Sequence, residues 1–260
     1  MPRAKAFVHP RPGQASPTLV LESNFRPAPV NVSELIANLS RVRERMARAA
    51  ARSGRLADSI TLVAITKTVT IDQIREAYVC GVRHFGENRV QEAAAKIPQL
   101  SDLAATWHLV GHLQSNKAKR SAALFQAVDS LDSIRAAEKL HTALPEGHLL
   151  PVLVEVHLGG GETKSGIEPA ALFPLLEQLS KLSRLSVRGL MTLPPYCRNP
   201  EEGRPYFRKL RELAASVAAA KFPGVAMQEL SMGMSHDFEI AIEEGATMVR
   251  LGTAIFGQRP

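Results

Sequence analysis

Apolar positions recur at helical spacing from Val32 to about Ser53, where Leu35, Ile36, Leu39, Val42, Met46 and Ala49 mark one face. Ser33 suits the N-cap of that helix and Gly54 its stop. Beyond it the period alternates. Short apolar, β-branched runs near 61–67, 83–87, 106–112, 125–130, 151–158, 186–193, 228–233 and 248–251 read as strands. Between them, residues 71–80, 89–97, 115–123, 133–143, 168–182, 203–220 and 236–244 carry helical spacing. Eight strands alternating with helices over roughly 200 residues predict an α/β fold, a single parallel (β/α)8 barrel of TIM type with an extra N-terminal helix. A doubly wound open sheet is the alternative, and the Gly-x-Gly-x-x-Gly turn expected after its first strand is missing.

Residues 1–30 break with this alternation. Pro10, Pro12, Pro17, Pro27 and Pro29 interrupt any period, so a disordered or loosely attached tail is expected ahead of one barrel domain over 31–260. No apolar run approaches the ~20 residues that span a bilayer, and no signal-peptide core stands near the N-terminus. A cytoplasmic protein is the expectation. Cys80 and Cys197 stand far apart without Cys-x-x-Cys or histidine-rich company, which predicts free thiols and no structural metal.

The net charge of +7 and pI near 9.7 raise a nucleic-acid reading. Much of the excess is local: Arg3, Lys5, Arg11 and Arg26 lie in the tail, and Arg41, Arg43, Arg45, Arg48, Arg52 and Arg55 crowd the first helix. Aromatic residues make up 5% and do not interleave with the basic ones as a base-stacking surface requires. The expectation is solvated basic surface, with no nucleic-acid or membrane partner, compatible with an anionic small molecule.

Candidate chemistry lies at the strand ends. Lys67 closes the run Thr61–Lys67 as an amine. Ser235 follows the seventh strand, and Gly252 and Thr253 follow the eighth. A parallel barrel brings all of these to one face, where the last two loops commonly hold phosphate. A lysine there suits a Schiff base with an aldehyde, and glycine and hydroxyl groups suit its phosphate. Plainer roles exist for each: a solvated lysine, and a Ser235 that caps helix 236–244. Asp237 and Glu239, in the same first turn, would oppose a phosphate if they pointed inward. Arg250 is either turned into the barrel or ion-paired on its surface, and Glu87 and Asn88 end the second strand at the mouth. His108 and His112 lack the nearby third ligand a metal needs and read as hydrogen-bonded core or rim groups. The Gly159–Gly166 run resembles a phosphate loop but has Thr163 where glycine must precede Lys164. It reads instead as a flexible loop after strand five from which Lys164 can swing over the mouth.

Taken together, Val63–Lys67, His84–Gln91, Trp107–Lys117, Lys164–Ile167, Gly189–Pro194 and Leu230–Gly257 resemble the pyridoxal phosphate homeostasis protein family (YggS/PROSC type), related to the barrel domain of alanine racemases. The resemblance implies pyridoxal 5'-phosphate (PLP) as cofactor, with Lys67 as the Schiff-base lysine and Ser235, Gly252 and Thr253 at its phosphate. It implies Arg250 facing the pyridine nitrogen and Asn88 and Met232 lining the cofactor. The family usually carries proline three residues after the lysine. Here Thr70 stands there, which predicts a looser loop. The sequence ends at Pro260, so the second domain that supplies a tyrosine base in racemases is expected to be absent, as are its dimer contacts; a monomer is expected. Tyr196 and Tyr206, after strand six, are the internal candidates for such a base. The implied role is a non-catalytic carrier or buffer of PLP, with apo-enzymes as recipients. An amino-acid racemase is the alternative, and a Schiff-base aldolase on a sugar phosphate a third reading.

Overall fold

The computed structural model describes residues 32–159 and 165–258. The tail expected over 1–30 and the swinging Lys164 lie outside these residues.

Helix α1 (Val32–Arg52) buries Leu35, Leu39, Val42, Met46, Ala49 and Ala50 as one stripe. Ile36 falls off that stripe and stays exposed. The arginines of α1 are only partly solvated, against expectation. Arg45 pairs with Glu239 at 2.8 Å and Arg52 with Glu243 at 2.6 Å, both carboxylates on a later helix. Just past α1, Arg55 donates to the Ala246 carbonyl at 2.8 Å. Basic residues here tie the extra helix to the barrel wall.

The wall is a closed parallel barrel in sequential order. Its strands are β1 (Thr61–Ile65), β2 (His84–Glu87), β3 (Thr106–Leu109), β4 (Ala127–Leu131), β5 (Leu150–Glu155), β6 (Leu185–Met191), β7 (Val225–Ser231) and β8 (Met248–Leu251). Closure is set by β1 against β8, with Val63 opposite Arg250. The outer layer is α2 (Ile71–Val79), α3 (Val90–Lys96), α4 (Ala118–Leu124), α5 (Ile134–Ala143), α6 (Leu172–Leu179), α7 (Arg204–Ala220), α8 (Phe238–Glu243) and α9 (Thr253–Phe256). The core between wall and helices is aliphatic, with Phe85 stacked on Trp107 at 5.2 Å.

Several boundaries move, each for a local reason. β3 stops at Leu109 rather than 112 because the chain turns at Gly111. A Cβ at Gly111 would fall 2.2 Å from the Asn88 carbonyl oxygen, so only glycine lets these two strand exits touch. Helix 236–244 begins at Phe238, and Thr253–Phe256 forms a short helix where the sequence reads as loop. The predicted looseness after Lys67 is not found. Thr70 makes a capping box with Gln73 and starts α2.

Candidate functional site

Six strand exits converge on one small cleft. It is about 100 Å³ and is lined by Ile65, Lys67, Asn88, Val110, Leu193, Met234 and Arg250. Lys67 lies two residues past β1 and is exposed. Among the described residues its amine has no hydrogen-bond or ion-pair partner.

Arg250 is on β8 and turned inward, 4% exposed. It donates to the Ser231 hydroxyl at 2.5 Å and to the Thr192 carbonyl at 2.8 Å, both neutral oxygens. Burial pulls the guanidinium below its ordinary value, and the fields of Asp129, Glu155 and Asp237 oppose that pull. It remains a cation at physiological pH. Burial in turn pushes the Glu155 and Asp237 carboxyls up.

The phosphate candidates sit beside the cleft. Ser235 follows Met234 directly and does not cap α8. Its hydroxyl oxygen instead accepts the backbone N–H groups of Gly252 at 3.3 Å and Ala254 at 3.2 Å, at the start of α9. Gly233 makes this possible. Its φ of +92° bends the chain out of β7, and a Cβ there would fall 2.5 Å from the Ala241 side chain. Both carboxylates that threatened an anion have partners of their own. Asp237 accepts the Met234 N–H at 2.6 Å, and Glu239 is held by Arg45 on α1.

Other expected residues are placed differently. Met232 is fully buried in the core, and Met234 lines the cleft in its stead. Asn88 is exposed and also borders a neighbouring cavity of about 550 Å³ with Arg89, His112 and Lys117. Glu87 is buried rather than rim-exposed, accepting from Thr66 Oγ1 at 2.6 Å. His108 lies inside the barrel against Asp129, whereas His112 sits past the strand and pairs with Asp132 at 2.7 Å. No cluster able to hold a metal occurs among the described residues. Tyr206 lies on α7, and Tyr196 is 79% exposed with its ring 5.2 Å from that of His236.

One cleft therefore joins a free amine to a buried guanidinium, with hydroxyl and amide groups alongside. The alanine racemase N-terminal domain family matches residues 30–260. A pyridoxal phosphate homeostasis protein of Aquifex aeolicus is 48% identical over 85% of this chain and 96% of its own length. The protein of that name in Escherichia coli K12 is 40% identical, over 88% of this chain and 98% of its own. The chain belongs to the pyridoxal phosphate homeostasis protein family. Among solved structures, PipY of Synechococcus elongatus with PLP bound is similar at a TM-score of 0.76 and 40% identity, over 86% of this chain and all of that one. Alanine racemase of Clostridium difficile shares the fold, with a TM-score of 0.65 at 16% identity, over 90% of this chain and 59% of that one. The clamp of charged residues around the Lys67 turn, described below, escaped the sequence reading; the only trace it left is a Glu–Lys spacing of four on α3.

Proposed function

We propose that this protein binds PLP through a Schiff base at Lys67 and acts as an intracellular carrier that hands the cofactor to apo-enzymes. The observation that carries the reading is the shared cleft of Lys67 and Arg250. The donor set suits the cofactor. Lys67 supplies the amine for the aldehyde carbon, with loss of water. Ser235 and Thr253 supply hydroxyl donors for a phosphate, and the Gly252 and Ala254 amides, which donate to the Ser235 oxygen, hold that hydroxyl in place. Asn88 and Met234, which line the same cleft, would border the ring.

Bound PLP supplies an electron sink, and Arg250 sets how strong that sink is. A permanently charged arginine can only donate, so it favours an unprotonated ring nitrogen and a weak sink. Its hydrogen bonds to neutral oxygens hold it in that role. This supports storage over carbanion chemistry. A racemase would need a second base, and Tyr196 is the candidate, its ring tilted 5.2 Å from that of His236, the residue after Ser235.

The test is borohydride reduction of protein incubated with PLP, followed by peptide mapping. The expected result is one phosphopyridoxyl group on Lys67, lost in Lys67→Ala without loss of thermal stability, since Lys67 is exposed. A label on another lysine sinks the reading. Loaded protein is expected to reactivate a PLP-dependent apo-enzyme and to leave added L-alanine unracemised; racemisation that requires Tyr196 establishes the alternative.

A further inference from the structure

Both peptide units that flank Lys67 are held by one cluster of charged side chains. Before it, the Thr66 carbonyl accepts from Lys96 Nζ at 2.6 Å, and the Thr66 hydroxyl donates to Glu87 Oε1 at 2.6 Å. After it, the Thr68 N–H donates to Glu92 Oε1 at 2.6 Å. Lys96 closes the cluster by reaching Glu87 at 3.0 Å and Glu92 at 2.6 Å. Thr68 needs such help, because its φ of +61° is left-handed backbone that a β-branched residue adopts only under constraint.

An i, i+4 Glu–Lys pair on a helix is ordinarily a solvated surface pair worth little. This one is different. The Lys96 side chain is 13% exposed and Glu87 is fully buried, with the Glu87 Oε2 atom left without a partner. Burying an ammonium is costly unless acceptors surround it, and here three oxygens from three segments do so. That arrangement serves the turn it grips more than the helix it grows from.

We propose that Lys96, acting with Glu92 and Glu87, is a positioning residue that aims the Lys67 amine into the cleft. The inference rests on the PLP reading of Lys67. Lys96 does not touch the cofactor; it holds the backbone on either side of the residue that does. Loss of its charge leaves Glu87 and Glu92 facing each other and the Thr66 carbonyl, so the turn reorganises and the amine loses its aim. Misplacement of a reacting group by about 1 Å can slow a reaction roughly 100-fold.

The test uses the full chain and the variant Lys96→Met, with three measurements. Amide exchange at Thr68 in the cofactor-free protein is expected to accelerate about tenfold or more, since its hydrogen-bond acceptor is freed. The rate of covalent PLP capture, followed by absorbance, is expected to fall roughly 10- to 100-fold. Non-covalent PLP affinity, compared between Lys67→Ala and Lys67→Ala/Lys96→Met, is expected to stay unchanged. A purely structural role would shift affinity together with rate.

Three results overturn the proposal: wild-type capture rates in folded Lys96→Met, unchanged Thr68 exchange, or a borohydride label on Lys96 itself. If Lys96→Met does not fold, the pair Glu92→Ala and Glu92→Gln decides. Alanine is expected to slow capture. Glutamine, whose amide oxygen still accepts the Thr68 N–H, is expected to restore most of it; equal rates in both variants overturn the idea. A wild-type protein that shows no label on Lys67 sinks the PLP reading instead, and Thr68 exchange still reports on the clamp.

Discussion

The two ends of the barrel both carry ionisable groups and use them in opposite ways. At the C-terminal mouth, the Lys67 amine is free among the described residues, and Arg250 is bonded only to neutral oxygens. At the N-terminal mouth, a cavity of about 420 Å³ is bounded by Thr61, His84, Thr106, His108 and Glu229. There the ionisable groups are spent on one another. His84 Nδ1 lies 3.0 Å from His108 Nε2, His108 Nδ1 lies 3.1 Å from both Asp129 oxygens, and Glu229 faces Arg188 at 3.8 Å. Groups left unpartnered are available to a ligand, whereas groups satisfied within the fold contribute to stability. The polarity of a parallel barrel puts the unpartnered amine at the C-terminal end.

The sharpest way to break that comparison is Asp129→Ala. Asp129 is 1% exposed and is the partner that accepts from His108. Its loss leaves a buried imidazole without its carboxylate, a destabilisation of about 3 kcal/mol. Urea unfolding measures it. The borohydride label on Lys67 is expected to persist in the folded fraction. Wild-type stability in this variant would erase the distinction between the two ends.

Acidity probes the same cluster more gently. His84 is held below the ordinary imidazole value, by burial first and by its neighbour His108 second. His108 is held above it: burial opposes the charge, and Asp129 outweighs burial by its field and its hydrogen bond. Two rings 3.0 Å apart thus share one proton and resist a second. The raised group stabilises fully below the unfolded value of about 6.5 and loses that contribution as pH climbs through its folded value. The lowered group costs stability as pH drops from about 6.5 toward its own folded value. The contribution of the pair therefore peaks near 6.5 and declines on either side by at most about 1.4 kcal/mol per pH unit. His84→Gln is expected to flatten the acid limb and keep the alkaline one. Urea midpoints from about pH 5 to 8 test this, and an unchanged acid limb refutes it.

The contrast also explains what could be read from the sequence. Lys67, Ser235, Gly252 and Arg250 reach one end because parallel topology carries every strand exit there, whatever the precise boundaries. Met232 and Met234 were not separable in this way. Alternation along β7 is broken at Gly233, so the methionine beyond the bend meets the cleft and the one before it stays in the core. The relay of His84, His108 and Asp129 depends on register across three strands, which spacing within any single strand does not encode. Ser235 looked like a cap for the helix that follows it. It caps a later one, because β7 and β8 are neighbours in the wall.

Thr70 gives the smallest expected effect and the finest test of how tightly the C-terminal mouth is built. Where the family's usual proline would make this position rigid, threonine makes it a cap. Its hydroxyl accepts the Gln73 N–H at 3.3 Å, and its own N–H donates to Gln73 Oε1 at 3.2 Å. Thr70→Ala removes the cap and is expected to cost about 1 kcal/mol in chemical denaturation. Thr70→Pro removes the same hydroxyl cap and should cost about as much. The native φ of −75° is what proline imposes, and the lost N–H bond is offset by a stiffer unfolded chain. Neither change should alter PLP capture, because the turn at Lys67 is held from α3 and not from α2. A capture rate that follows Thr70 and ignores Lys96 would move control of that turn to the wrong helix for the clamp.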